Sequence, residues 1–181
     1  MRHLLPAVTP PVVLDASAHA SIEAICLAEG DGLETGGILL GHQHTDGHLS
    51  VTIAGDPGPN AERTRHSFRR DPDHARALAR DGYAQDCSVW IGDWHTHPEG
   101  PIHPSRTDLR AYVDIVCDPE ETFDVFLSII VVPDKSRPLL YAWLITAQTA
   151  MPKQASGYRD PPDGDSPTRG RATSCGPRPG F

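Results

Sequence analysis

Apolar and polar positions alternate in blocks that change period along the chain, and those changes mark the elements. Pro11-Val12-Val13-Leu14 reads as a short strand, and Ala16 to Glu29 carries Ile22, Ile25 and Cys26 at helical spacing before Gly30-Asp31-Gly32 stops it. Gly36-Gly-Ile-Leu-Leu-Gly41 has the continuous apolar character of a buried strand, while Leu49-Ser-Val-Thr-Ile-Ala54 alternates as a half-buried one, with a turn at Thr45-Asp46-Gly47 between them. A helix is expected over Asp71 to Tyr83, a strand over Val89 to Trp94, and a further helix whose stripe is Leu109, Tyr112, Val113 and Val116. Strands at Phe123 to Val132 and Leu139 to Ile145 follow, joined by a bend at Pro133-Asp134-Lys135 that makes them antiparallel neighbours. The expected fold class is α+β, a mixed sheet flanked by helices.

The pattern fades after residue 150. Residues 151–181 hold six prolines and five glycines, 11 breakers in 31 positions, with too few apolar residues to order a core. We therefore expect one folded domain over 1–150 and a flexible tail over 151–181. The tail carries five basic and three acidic side chains against a whole-chain charge of −8, so the folded part is the acidic part, at about −10. That balance argues against a general grip on nucleic-acid phosphates. No apolar run approaches the roughly 20 residues of a membrane span, and prolines break the N-terminus before a signal-type apolar region forms. A cytoplasmic protein is expected. Cys26, Cys87, Cys117 and Cys175 lack paired CxxC spacing and do not suggest a disulfide framework.

Ten histidines are many for 181 residues, yet most are scattered. Two H-x-H strings stand out, His42/His44 and His95/His97. Side chains two apart on a strand share a face, so either pair can aim two imidazoles at one point. A lone pair of this kind is more often a polar strand face than a metal site. Only the second is followed by a Pro- and Gly-containing loop and Ser105-x-x-Asp108 at a helix start, which makes the string H-x-H-x7-S-x2-D. Ser105-x-x-Asp108 is also a capping signal, and capping and ligation can coexist because the cap fixes the turn that presents Asp108. Two neutral nitrogens and a carboxylate oxygen suit zinc with an open fourth position. Peptide hydrolysis then needs a proton carrier. Among the seven glutamates, Glu34 at the mouth of the Gly36–Gly41 strand comes first and Glu99 in the ligand loop second.

Glu34, His95-x-His97-Pro98, Ser105 and Asp108, in this order and spacing, resemble the signature of the JAB/MPN metalloproteases with the JAMM zinc motif. The resemblance covers roughly residues 11–148, and its strings look most like those of the compact bacterial members. It implies the MPN/JAB (cytidine-deaminase-like) fold, Zn2+ on His95, His97 and Asp108, Glu34 as general acid/base, and Ser105 as an oxyanion-stabilising hydroxyl. The implied substrate is the C-terminal tail of a ubiquitin-like protein, free or conjugated, and the implied partners are E1-like and E2-like proteins of a conjugation system, including antiphage defence systems. Release of cysteine or another small group from a sulfur-carrier protein is the alternative substrate class, with a cell-wall or phage-tail peptidase behind it. A non-catalytic MPN scaffold would be expected to lack one of these groups. A zinc deaminase would need a P-C-x-x-C after His97-Pro98-Glu99, and none follows. Residues 55–70 read as a surface loop, with a substrate-facing flap as the sharper possibility.

Overall fold

A computed structural model describes residues 11–118, 123–134 and 137–146 together with the backbone of 153–154. In chain order the elements are β1 (Val12–Leu14), α1 (Ala16–Ala28), β2 (Gly36–Gln43), β3 (Leu49–Ala54), β4 (Glu62–Arg63), β5 (Phe68–Arg69), α2 (Pro72–Asp86), β6 (Val89–Thr96), α3 (Arg106–Val116), β7 (Phe126–Val132), β8 (Leu139–Ile145) and β9 (Lys153–Gln154). Seven strands form one sheet in the order β1-β3-β2-β6-β7-β8-β9, and β4 and β5 form a separate two-stranded one. The pairs β1/β3 and β6/β7 are parallel and the rest antiparallel, so the mixed α+β architecture expected from the pattern is present. The β7/β8 neighbours are antiparallel, as their short connection requires. Most of 151–181 lies outside the described residues, but Lys153–Gln154 pair with Trp143 and Leu144, so the sheet reaches past residue 150.

Helices cover both faces. Ala18 and Ile22 of α1 pack with Leu39, Val51, Trp94, Leu127 and Ile129 on one face, whereas Ala75 and Ala79 of α2 meet Ile38 and Leu40 on the other. Tyr112 and Val116 of α3 join Phe126 and Ile145 on that second face. Consecutive residues such as Ile38 and Leu39 thus serve opposite layers, which explains why β2 reads as an unbroken apolar run.

β6 departs from simple alternation, and the departure positions everything that follows. Leu40 pairs with Trp90 and Leu39 with Gly92, leaving Ile91 as an extra residue against β2. Upstream of it, Val89 and Ile91 pack with the α1 layer; downstream, Trp94 does so, which turns Asp93, His95 and His97 toward the α3 side. A strict period of two from Val89 would have sent those three into the α1 layer.

The segment 62–69 is a short hairpin rather than the loop its polar sequence suggests, with Glu62 opposite Arg69 and Arg63 opposite Phe68. Cys26 and Cys117 are free thiols, while Cys87 is disulfide-bonded, a bond the cysteine spacing does not predict. Among the described residues no helix is long and apolar enough to cross a membrane.

Candidate metal centre

The site lies at the carboxyl end of β6, where the chain leaves the sheet to make α3 and return as the parallel neighbour β7. Loops at the carboxyl ends of strands are the usual place for sites in such units. His95 is inside β6 and His97 just past it; both are buried, and their Nε2 atoms stand 2.9 Å apart. Asp108 Oδ2 lies 3.5 Å from His95 Nε2 and 3.6 Å from His97 Nε2. A tetrahedral ion with bonds of 2.0–2.1 Å needs donor separations of about 3.3 Å, so these three atoms have the spacing of one face of such a site.

Each donor is held from behind. His97 Nδ1 donates to the Pro101 carbonyl at 2.6 Å, which leaves Nε2 of the neutral ring as a bare lone pair. The loop supplying that carbonyl is itself pinned, because Trp143 Nε1 of β8 donates to the Ile102 carbonyl at 3.0 Å. Behind His95, the Tyr112 hydroxyl is 3.4 Å from Nδ1 and accepts from Ser128 Oγ at 3.1 Å. Asp108 belongs to a capping box: its N–H donates to Ser105 Oγ at 3.2 Å and its Oδ2 accepts from the Ser105 N–H at 2.6 Å. Capping and presentation of the carboxylate are therefore one arrangement. Burial pushes the Asp108 carboxyl up, but the two imidazoles and Ser105 outweigh it and hold the group far below the ordinary carboxylate range.

Glu34 arrives from β2. Gly36 pairs with His95, and the ladder continues as Thr96 N–H donates to the Thr35 carbonyl at 2.7 Å, which puts Glu34 across from His97 on the same face. Gly36 is required at this crossing, since a Cβ there would come within 2.1 Å of the Trp94 carbonyl oxygen. Glu34 is 8% exposed; burial raises its carboxyl above the ordinary value, with His95 and His97 opposing. It opens on a cleft of about 680 Å³ walled on one side by Phe68 and Arg69 of the hairpin and on the other by Thr107, Ala111 and Ile115 of α3.

Of the residues expected from sequence, Glu34, His95, His97, Ser105 and Asp108 come together, and Glu99 does not: it is exposed and 3.9 Å from Arg65. Three polar residues lay beyond the sequence reading. Asp93 shares a face with the two histidines, is buried in the cleft wall, and accepts from Arg70 at 2.6 Å and Trp90 Nε1 at 3.0 Å. Its position two before His95 was the available signal. Tyr112 read as apolar stripe, and Arg63, described below, had none.

The chain matches the family described as prokaryotic homologs of the JAB domain over residues 16–151. It belongs to the prokaryotic JAB family. The JAB chain is 35% identical over 82 residues to a CD-NTase/cGAS isopeptidase of Escherichia coli, covering 44% of this chain and 52% of that protein. It is 33% identical over 115 residues to a probable metalloprotease of Sinorhizobium fredii, covering 62% and 70%. The chain spans about half the length of the isopeptidase relatives it matches. A solved protein of Desulfitobacterium hafniense shares the fold at 19% identity, with a TM-score of 0.58 over 79% of this JAB chain and 88% of that one. Among the described residues His95, His97 and Asp108 form the group able to hold a metal, and the family and its metalloprotease member imply a metal cofactor.

Proposed function

We propose that this prokaryotic JAB protein is a zinc-dependent isopeptidase that hydrolyses the bond after the C-terminal tail of a ubiquitin-like protein, maturing its precursor or releasing it from conjugates. The observation that carries the reading is the convergence of His95, His97 and Asp108 beside a buried Glu34 at the mouth of one cleft. The donor set fits zinc in both chemistry and spacing, and zinc on it would supply a Lewis acid with an open position for water and the scissile carbonyl.

The chain's own groups do the remainder. Glu34 accepts the proton of the attacking water and returns it to the leaving amine, a task suited to a carboxyl whose burial raises its proton affinity. Ser105 Oγ already accepts from the Asp108 N–H, which leaves its hydroxyl proton to donate to the oxyanion. The cleft takes the extended tail, and its apolar wall of Ala111, Ile115 and Phe68 excludes water around the scissile bond. Relatives named CD-NTase/cGAS isopeptidases support the isopeptidase class. In such a setting the partners are E1-like and E2-like proteins of a cytoplasmic, antiphage conjugation system.

The test uses the full chain, a ubiquitin-like fusion and a metal assay. One zinc per chain is expected, and Glu34→Gln keeps that zinc while kcat falls about 10²–10⁴-fold. Because the carboxylate form is the base and burial raises its pKa, wild-type kcat should fall on the acid side at a pH above the ordinary glutamate range. Absence of zinc, or unchanged cleavage by Glu34→Gln, defeats the proposal.

A further inference from the structure

One guanidinium grips the loop that carries Glu34 at three points. Residues 29–35 leave α1 and enter β2 through an Asx-type turn, in which the Leu33 N–H donates to Asp31 Oδ1 at 3.0 Å and Gly32 takes φ +75°. Arg63 of β4, with a side chain only 15% exposed, reaches across this turn. Its Nη1 bonds Glu29 Oε2 and, at 3.2 Å, Asp31 Oδ2; its Nη2 bonds Asp31 Oδ1 at 3.1 Å. Its Nε donates to the Glu34 carbonyl at 3.0 Å, and the next residue completes the grip, because the Glu34 N–H donates to the Thr64 carbonyl at 2.8 Å. Both backbone polar groups of Glu34 are thereby held by the hairpin and not by the main sheet. The same hairpin walls the cleft: Phe68, the cross-strand partner of Arg63, lines it.

We infer that Arg63 is a positioning residue for Glu34, fixing the backbone from which the carboxylate reaches the scissile bond. The inference rests on the hydrolase reading above. A planar fork with five donors is what three acceptors spread over six residues of one loop demand, and a lysine ammonium cannot span them. None of the bonds of Arg63 touches His95, His97 or Asp108, so its removal should spare the metal and strike the proton carrier.

The experiment compares full-length wild type, Arg63→Ala, Arg63→Lys and Glu34→Gln/Arg63→Ala on one fusion substrate. Arg63→Ala should keep one zinc per chain and lower kcat on the order of 10–100-fold, with KM within about threefold. Added methylguanidinium should restore part of the rate. In the Glu34→Gln background the same substitution should cost almost nothing, since both act on one step. If Arg63→Ala does not fold, Arg63→Lys is read in its place, with the same loss of kcat expected at retained zinc. Unchanged kcat, a change in KM alone, or an equal loss in the Glu34→Gln background overturns the inference while the wild type still cleaves. A wild type that holds zinc and cleaves no fusion overturns the hydrolase reading, and this inference with it.

Discussion

The protein contains two H-x-H pairs that are almost interchangeable on paper. His42/His44 ends β2 and His95/His97 ends β6, each with one histidine inside the strand and one just beyond it. The two strands are antiparallel neighbours, so the pairs occupy opposite ends of the same sheet. Their outcomes differ. His95 and His97 bring ring centroids to 4.7 Å with both Nε2 atoms on Asp108, whereas His42 and His44 stay 6.3 Å apart and turn to different partners. His44 Nε2 bonds Ser50 Oγ at 2.8 Å while its ring stacks on His48 at 3.8 Å, and His42 lies 4.0 Å from Asp86. The lesson is that spacing makes two imidazoles neighbours, but convergence requires a third donor in front and an acceptor behind each ring. Pro101 and the capped turn at Ser105 provide these at one end, and nothing among the described residues does so at the other.

The contrast can be broken at three strengths. The largest effect should come from His95→Ala, which is expected to abolish stoichiometric metal and reduce cleavage to background, while a His42→Ala/His44→Ala double variant retains both; loss of metal from the double variant would reverse the assignment. Next, Tyr112→Phe removes the hydroxyl behind His95 and should weaken metal affinity about tenfold in a chelator competition, at the low end for groups behind a ligand because the contact is long. An unaffected affinity would mean that packing alone orients His95. The smallest effect is the stability of the His42→Ala/His44→Ala protein, whose unfolding free energy should fall by less than about 1 kcal/mol in denaturant titration, as His42 is half-buried and His44 exposed.

Legibility followed the physical strength of each signal. Strands such as β3 and helices such as α3 announce themselves because burial of one face imposes a period, and the capping box at Ser105 announces itself because a helix start has few solutions. The candidate metal-holding group of His95, His97 and Asp108 is readable since its spacing along the chain is short. Glu34, 61 residues before His95, is singled out by its place at the mouth of the Gly36–Gly41 strand, and only the resemblance to a family ties it to the histidines, because no local pattern links β2 to β6. The hairpin at 62–69 was missed as a strand pair since two-residue strands, with three of their four residues charged, carry no periodicity; its order comes from Arg63 and Arg70 reaching acceptors in other elements. Asp93 was overlooked for a related reason: a carboxylate in an apolar strand looks like an exception until the arginine that neutralises it is in place.

The bulge at Ile91 works like a frameshift in the strand. Before it, odd-numbered positions feed the α1 layer; after it, the even ones do. Substitutions ahead of Gly92 can therefore remodel that layer without disturbing the imidazoles, and losing Ile91 itself would only restore the regular pairing, whereas deleting one residue between Gly92 and His95 would rotate both imidazoles into the hydrocarbon of the α1 layer and away from Asp108.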